Sequence, residues 1–303
     1  MMTPVYRVSG EIASPIDGRV CLDPGKLIWT GGMICAFIIL APTQTNVTAI
    51  CFSLTLTYLT LLLGHSVGMH RMMIHRSFSG KPWLRYSLLY LGTLVGIGGP
   101  SSVIKIHDTR DWAQRAAVCH DFFSHRRGYW RDLAWQLFYK FEFDKPPKID
   151  IETDISEDNF LIHLDRYWRW HQLGLAVFLF LIGGLPLVVW GVCFRVALST
   201  IGHWTVTYVC HNPGPGKWDV TAAGVQASNL TLPGWLTHGE CWHNNHHAFP
   251  ESARIGLYPG QIDPAAWIIE KLEKAGLVWT VGKRRKATED LHLRPPLSKS
   301  IKL

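Results

Sequence analysis

The sequence predicts an all-α integral membrane protein: four transmembrane helices beneath a helical cytoplasmic cap that carries a histidine-rich dimetal site. Three observations predict it. Uncharged runs of bilayer length interrupt a chain in which 48% of the 303 residues are hydrophobic and only 17% are charged. Every Lys and Arg except Arg195 falls on one side of those runs. The 15 histidines are absent before residue 65 and gather at the ends of the runs and in the segments between them.

A soluble domain carries about 25% charged residues, and a spanning helix needs roughly 20 apolar residues. No charge lies between Lys26 and His65. This stretch reads as a helical hairpin, with span 27–41, the turn Pro42-Thr43-Gln44-Thr45-Asn46 and return span 47–64. A second uncharged stretch lies between His171 and Arg195. It gives a third span over 173–194, followed by a less apolar fourth span over 196–211. The run Tyr86–Ile104 has only about 12 apolar residues before Gly96-Ile97-Gly98-Gly99-Pro100. It reads as a re-entrant or interfacial helix.

The aqueous segments are then 1–26, 65–172 and 212–303, in one domain spanning the chain. They hold all the basic residues but Arg195, so a multi-pass protein with both termini cytoplasmic is expected. The net charge of +7 follows from that topology, and no nucleic-acid partner is expected. The N-terminus is polar and lacks the short apolar core of a signal peptide. Loop 141–158 is acidic and should be exposed; the tail from Lys283 (KRRK) is basic. The seven cysteines form no C-x-x-C pair and read as free thiols.

The sharpest motif is His243-Asn244-Asn245-His246-His247, an H-x-x-H-H expected by chance about 0.04 times in such a chain. On a helix His243 shares a face with His246 and His247, so three imidazoles can converge on a metal. A second cluster, His65 to His75, follows the second span. His70 and His75 lie five apart, about 140° around a regular helix. Either the helix bends or bulges between them, or they face different metals. His107-Asp108-Thr109-Arg110-Asp111, His120 and His125 form a third group, and His203 and His211 sit in the last span. His163, His171, His238 and His292 read as structural or surface residues, and His65 and His203 as packing residues or ligands. Many imidazoles and few carboxylates suit iron, copper, zinc or nickel. Eight or more candidate ligands imply two metals.

These residues resemble the membrane-bound fatty acid desaturase family, close to the acyl-CoA desaturases, over about residues 30–275. That family carries H-x-x-x-x-H, then H-x-x-H-H, a further His after the fourth span, and a last H-x-x-H-H. His70–His75 matches the first box, His243–His247 the last, and His211 the extra His. The middle box departs: His107 holds its first position, but Arg110 and Asp111 stand where two His are expected. The family's later Asp-Pro-His is matched by Val118-Cys119-His120.

The resemblance implies O₂-dependent desaturation of a long-chain fatty acyl substrate, acyl-CoA or acyl-lipid, at two iron ions (Fe2+/Fe3+). The implied ligands are His70, His75, His107, His120, His211, His243, His246 and His247. Asp111, His125 or His65 could make up the missing donors. Glu240, Asn245 and Thr207 (an Asn in the animal enzymes) would stand just outside the ligands. No cytochrome or ferredoxin pattern is fused to the chain, so a ferredoxin, rubredoxin or cytochrome b5 type donor is expected. Two other readings stay open: a lipid hydroxylase on the same scaffold, and a diverged metal- or lipid-binding membrane protein.

Overall fold

The computed structural model describes residues 3–10, 12–231, 233–284 and 293–294. Of the basic tail from Lys283 onward, residues 285–292 and 295–303 lie outside the described residues. Asp23 caps the first helix, α1 (Pro24–Gln44), by accepting from Lys26 N at 3.1 Å. The helix runs through Pro42, so the expected turn shortens to Thr45 and Asn46. The Asn46 side chain accepts from Ala49 N at 2.8 Å and starts α2 (Val47–Ile74). Ser, Asp and Asn favour such caps because their oxygens satisfy orphan amides of the first turn.

Helix α2 continues past the expected end at residue 64. From Thr60 to Ile74 it is wound as a π-helix. Here it crosses α3 (Pro82–Leu94) in close backbone contact. A β-carbon at Gly64 would lie 2.2 Å from Gly92 N, so only glycine permits the approach. Helix α4 (Pro100–Arg115) follows after a break at residues 95–99, and both α3 and α4 begin with proline, whose missing N–H is one of the orphans there. The run 86–104 is therefore split between two helices. Among the described residues three helices are long and apolar enough to cross a membrane, α1, α2 and α6 (Asn159–Cys210), and neither α3 nor α4 is one of them. A short α5 (Tyr129–Phe138) lies between α4 and α6.

Helix α6 is a 52-residue helical run that folds back on itself. At Gly184 φ is +69° and ψ is −163°, a region open essentially to glycine alone. The two arms lie side by side, so a β-carbon at Gly191 would be 2.7 Å from Leu179 Cδ1. This corrects the expected spans 173–194 and 196–211, because the reversal falls at Gly184 and not at Arg195. Arg195 sits fully buried inside the second arm. It donates to Gly191 O at 2.7 Å, and also to Leu94 O and Gln172 Oε1. Carbonyl acceptors close at hand satisfy the guanidinium, so its charge does not mark a loop. Large apolar side chains on these helices, among them Ile28, Ile39, Val47, Phe178 and Leu181, are exposed, as lipid contact requires.

The remaining segments pack around the C-terminal end of α2. Leu62, Val67 and Met72 meet Leu84, Leu88 and Ile269 on one side. Met69 and Met73 meet Leu89, Ile104, Leu161 and Leu164 on the other. Short antiparallel ladders tie distant parts of the chain together: Gly18–Leu22 with Tyr139–Phe143, and Val8–Ser9 with Lys148–Ile149. Helix α7 (His243–Ala248) and helix α8 (Pro264–Lys274) complete the layer. The expected exposed loop 141–158 begins inside a ladder, where Phe141–Phe143 are half-buried; most of 144–158 is exposed, although Ile155 is buried. All seven cysteines are free.

Candidate metal centre

The π-winding of α2 answers the five-residue spacing of its histidines. In a π-helix the amide of residue i+5 bonds the carbonyl of residue i, and His75 N donates to His70 O at 3.0 Å. The two rings therefore face the same way, with their Nε2 atoms 3.2 Å apart. Helix α4 brings His107 to them, and α7 brings His246, whose ring centroid lies 4.6 Å from that of His70 and 4.4 Å from that of His75. Each of His70, His75, His107 and His246 offers a nitrogen within 4.8 Å of the others, which makes a quartet. His211, His243 and His247 form a separate trio by the same measure. Within α7, His243 and His247 are one helical turn apart, with Nε2 atoms 3.1 Å apart, while His246 points to the quartet.

Outer partners fix which nitrogen faces inward. His70 Nδ1 lies 2.8 Å from Glu240 Oε2. His107 Nδ1 lies 2.9 Å from Asp108 Oδ1. His211 Nδ1 donates to Thr207 O at 2.8 Å. His107 and His211 give their Nδ1 protons to these oxygens, which leaves a lone pair on each Nε2, the arrangement of metal-bound histidine. Among the described residues His211 Nε2 is buried with no hydrogen-bond partner, an unsatisfied acceptor that a cation would satisfy.

Burial, reinforced by the neighbouring imidazoles, holds His75, His211, His243 and His246 well below the usual imidazole range. Burial likewise pushes His247 down to about 4. These rings are thus neutral, the form that ligates. Burial alone would raise the Glu240 carboxyl, but His70, Arg71 and Ser66 outweigh it and hold the group well below the usual carboxylate range. Arg71 is in turn anchored by buried Asp263, at 2.9 Å. The donor set fits transition metals: seven imidazoles in two groups, with no cysteine in either group among the described residues.

Asp111 Oδ2 lies 3.7 Å from His107 Nε2, outside both groups. Burial would raise its carboxyl, but His107, His247, Arg110 and Arg115 hold it well below the usual range. His125 stacks on His211 with centroids 5.5 Å apart, and its Nδ1 is held by Asp132 at 3.0 Å. The structure does not bring His120 to either group. Its Nδ1 accepts from Phe122 N, capping a short turn, and its ring packs on Phe141. His65 packs edge-on against His203. Asn245 bonds Ile255 O and Gln261 Oε1 and touches no ligand nitrogen; it holds the loop after α7. His163 and His171 pack together, and His238 packs on Tyr58.

Sequence reasoning missed Asp108, Asp132 and Arg7. Adjacency to His107 was the one signal for Asp108. Arg7 carries no local signal, since its partners Met73, Ile74 and Asp108 are far along the chain.

An apolar cavity of about 370 Å³ opens from the histidines between α2 and the second arm of α6. Leu54, Tyr58 and Leu61 line one wall, Leu198, Gly202 and Val206 the other, and His70, His107 and His243 the inner end. This volume is in the range of small-molecule sites.

The family model for fatty acid desaturases matches residues 46–281. A sn-1 stearoyl-lipid 9-desaturase of Anabaena variabilis is 33% identical over 251 residues, covering 82% of this chain and 89% of that protein. A sn-2 palmitoyl-lipid 9-desaturase of Nostoc sp. (strain 36) is 32% identical over 252 residues, covering 81% and 86%. An acyl-CoA 5-desaturase of Anemone leveillei is 31% identical over 273 residues, covering 90% and 82%.

Proposed function

Because the chain belongs to the fatty acid desaturase family, we propose that it introduces a double bond into a long-chain fatty acyl substrate, acyl-CoA or acyl-lipid, at a histidine-held pair of iron ions with dioxygen as co-substrate. The observation that carries this reading is the convergence of two histidine groups at the inner end of an apolar cavity. His70, His75, His107 and His246 would hold one metal, and His211, His243 and His247 the other. His120 is left out of this set. Iron held there would supply, with O₂, two electrons and two protons, the oxidising power to take two hydrogens from adjacent methylenes and release water.

The protein's own part is orientation and exclusion of water. Glu240, Asp108 and the Thr207 carbonyl keep the imidazoles aimed inward. The cavity walls grip an extended alkyl chain by apolar contact alone, so position along the walls decides which carbons meet the histidines. The electron donor is a separate protein of the ferredoxin, rubredoxin or cytochrome b5 type.

The topology that goes with this reading has four passes: α1, α2 and the two arms of α6. The segments bearing the histidines form a cytoplasmic cap, with both termini on the same side. It is supported by the glycine reversal within α6 and by the basic residues crowding the segments that carry the histidines.

Fatty-acid profiling of cells with and without the gene tests the reading. The expected product is an acyl chain lighter by two hydrogens. A product heavier by one oxygen would instead make this scaffold a hydroxylase, and an unchanged profile from a metal-loaded, folded protein with a donor present would refute both.

A further inference from the structure

Helix α4 carries His107, Arg110 and Asp111 at i, i+3 and i+4, so all three share one face. His107 belongs to the quartet. Arg110 is buried and lines the cavity beside His243. Among the described residues its side chain hydrogen-bonds to Asp111 Oδ1 at 3.3 Å, and its buried Nε meets no partner. The guanidinium is thus a permanent, underpaired cation at the inner end of the cavity.

The two groups are unequal in a second respect. The quartet offers four imidazole nitrogens, the trio three. His125, stacked almost parallel on His211 at an interplanar angle of 29°, does not converge with the trio on one point. Asp111 is the counter-charge, but its carboxylate is shared between Arg110 and His107.

On the metal-binding reading above, we propose that the two metal sites fill in order: the quartet binds a divalent ion tightly, and the trio, one donor poorer and facing the Arg110 guanidinium, binds its ion weakly. A like charge buried nearby opposes a dication far more than it would in water. The chain as isolated then carries one firmly held metal, and the second enters only at higher free metal concentration. Arg110 sets that threshold.

The test is an anaerobic Co2+ titration of the full-length protein in detergent, followed by visible absorption and by metal analysis after desalting. The expected result for the unaltered protein is one ion retained per chain, with a second binding at least ten-fold more weakly. Arg110→His supplies a fourth imidazole and removes the permanent charge; it should retain two ions. Arg110→Gln removes the charge without adding a strong ligand and should tighten the second step several-fold, while Arg110→Lys should not. His243→Ala should abolish the weak step and His75→Ala the tight one. Two equal steps in the unaltered protein would overturn the proposal, as would Arg110→Gln leaving the weak step unmoved. Absence of any Co2+ binding by a folded chain would instead bring down the metal reading itself, and with it this inference.

Discussion

Arg7 Nη1 lies 2.8 Å from Asp108 Oδ2, and through that carboxylate the N-terminal arm reaches a metal-ligand candidate. The other oxygen of Asp108 is 2.9 Å from His107 Nδ1. Arg7 also donates to Ile74 O at 2.9 Å and Met73 O at 3.2 Å, at the C-terminal end of α2. A cation is favoured there by the helix dipole. One buried guanidinium therefore ties the helix end bearing His70 and His75 to the helix bearing His107.

Replacing Arg7 by Ala leaves Asp108 buried without its cation. A broken buried pair costs about 3–5 kcal/mol, and loss of a ligand's outer partner typically costs about 10–100-fold in metal affinity. Arg7→Ala is expected to lower both the thermal midpoint and the affinity of the tight site. Arg7→Lys, which keeps the charge but not the fork, should fall between. Unchanged Co2+ affinity in a folded Arg7→Ala protein would show that Asp108 holds His107 unaided.

Metal should also stabilise the fold. A ligand that binds the native state alone contributes about 2.7 kcal/mol at a free concentration of a hundred times its Kd. Stripping the protein with a chelator under anaerobic conditions is expected to lower the thermal midpoint, and Co2+ or Fe2+ should restore it. His75→Ala should lose most of that metal-dependent shift. A midpoint indifferent to metal in the unaltered protein would argue that the imidazoles hold their geometry without an ion.

The reversal of α6 rests on one residue. Gly184 adopts a backbone conformation that costs other residues about 1–3 kcal/mol. The contact of Leu179 with Gly191 and the bond between Gln172 and Arg195 both depend on it. Gly184→Ala is expected to destabilise the protein by roughly that amount, read as a lower thermal midpoint, whereas Gly174→Ala, where a β-carbon meets nothing within 4 Å, should not. Equal midpoints for the two variants would mean that the turn is held by its neighbours.

What could be read from the sequence divides by range of interaction. The spans around 27–64 announce themselves because apolarity is a local property. The histidine clusters announce themselves because their spacing is local too. Charge misled at Arg195, since a buried arginine met by carbonyls looks, in sequence, like a loop residue. The spacing of His70 and His75 left bend and separate metals open, because a five-residue spacing brings two rings together only where the helix is wound as a π-helix. The division into quartet and trio, with His246 and His247 on different groups, needs four helices to be in place. His120 follows the family's order of motifs, yet it serves as a cap. Arg7 and Asp132 were invisible for the same reason, their roles being set entirely by partners elsewhere in the fold.

The cavity makes a prediction about substrate length. Leu54, Tyr58 and Leu61 recur along one face of α2, and Leu198, Gly202 and Val206 along the facing arm of α6. A β-carbon at Gly202 would meet nothing within 4 Å, so there is room for a larger side chain to grow into the space. Gly202→Phe should fill part of the cavity while leaving the histidines and their partners untouched. Each methylene excluded from an apolar site is worth about 1–3 kcal/mol in discrimination. The expected result is a shift of at least about ten-fold in relative rate from longer to shorter acyl chains, with metal content unchanged. Competition between two acyl lengths, analysed by mass spectrometry of the products, measures it. If long chains are still processed in the original ratio by the folded, metal-loaded variant, the acyl chain does not run along the Gly202 wall.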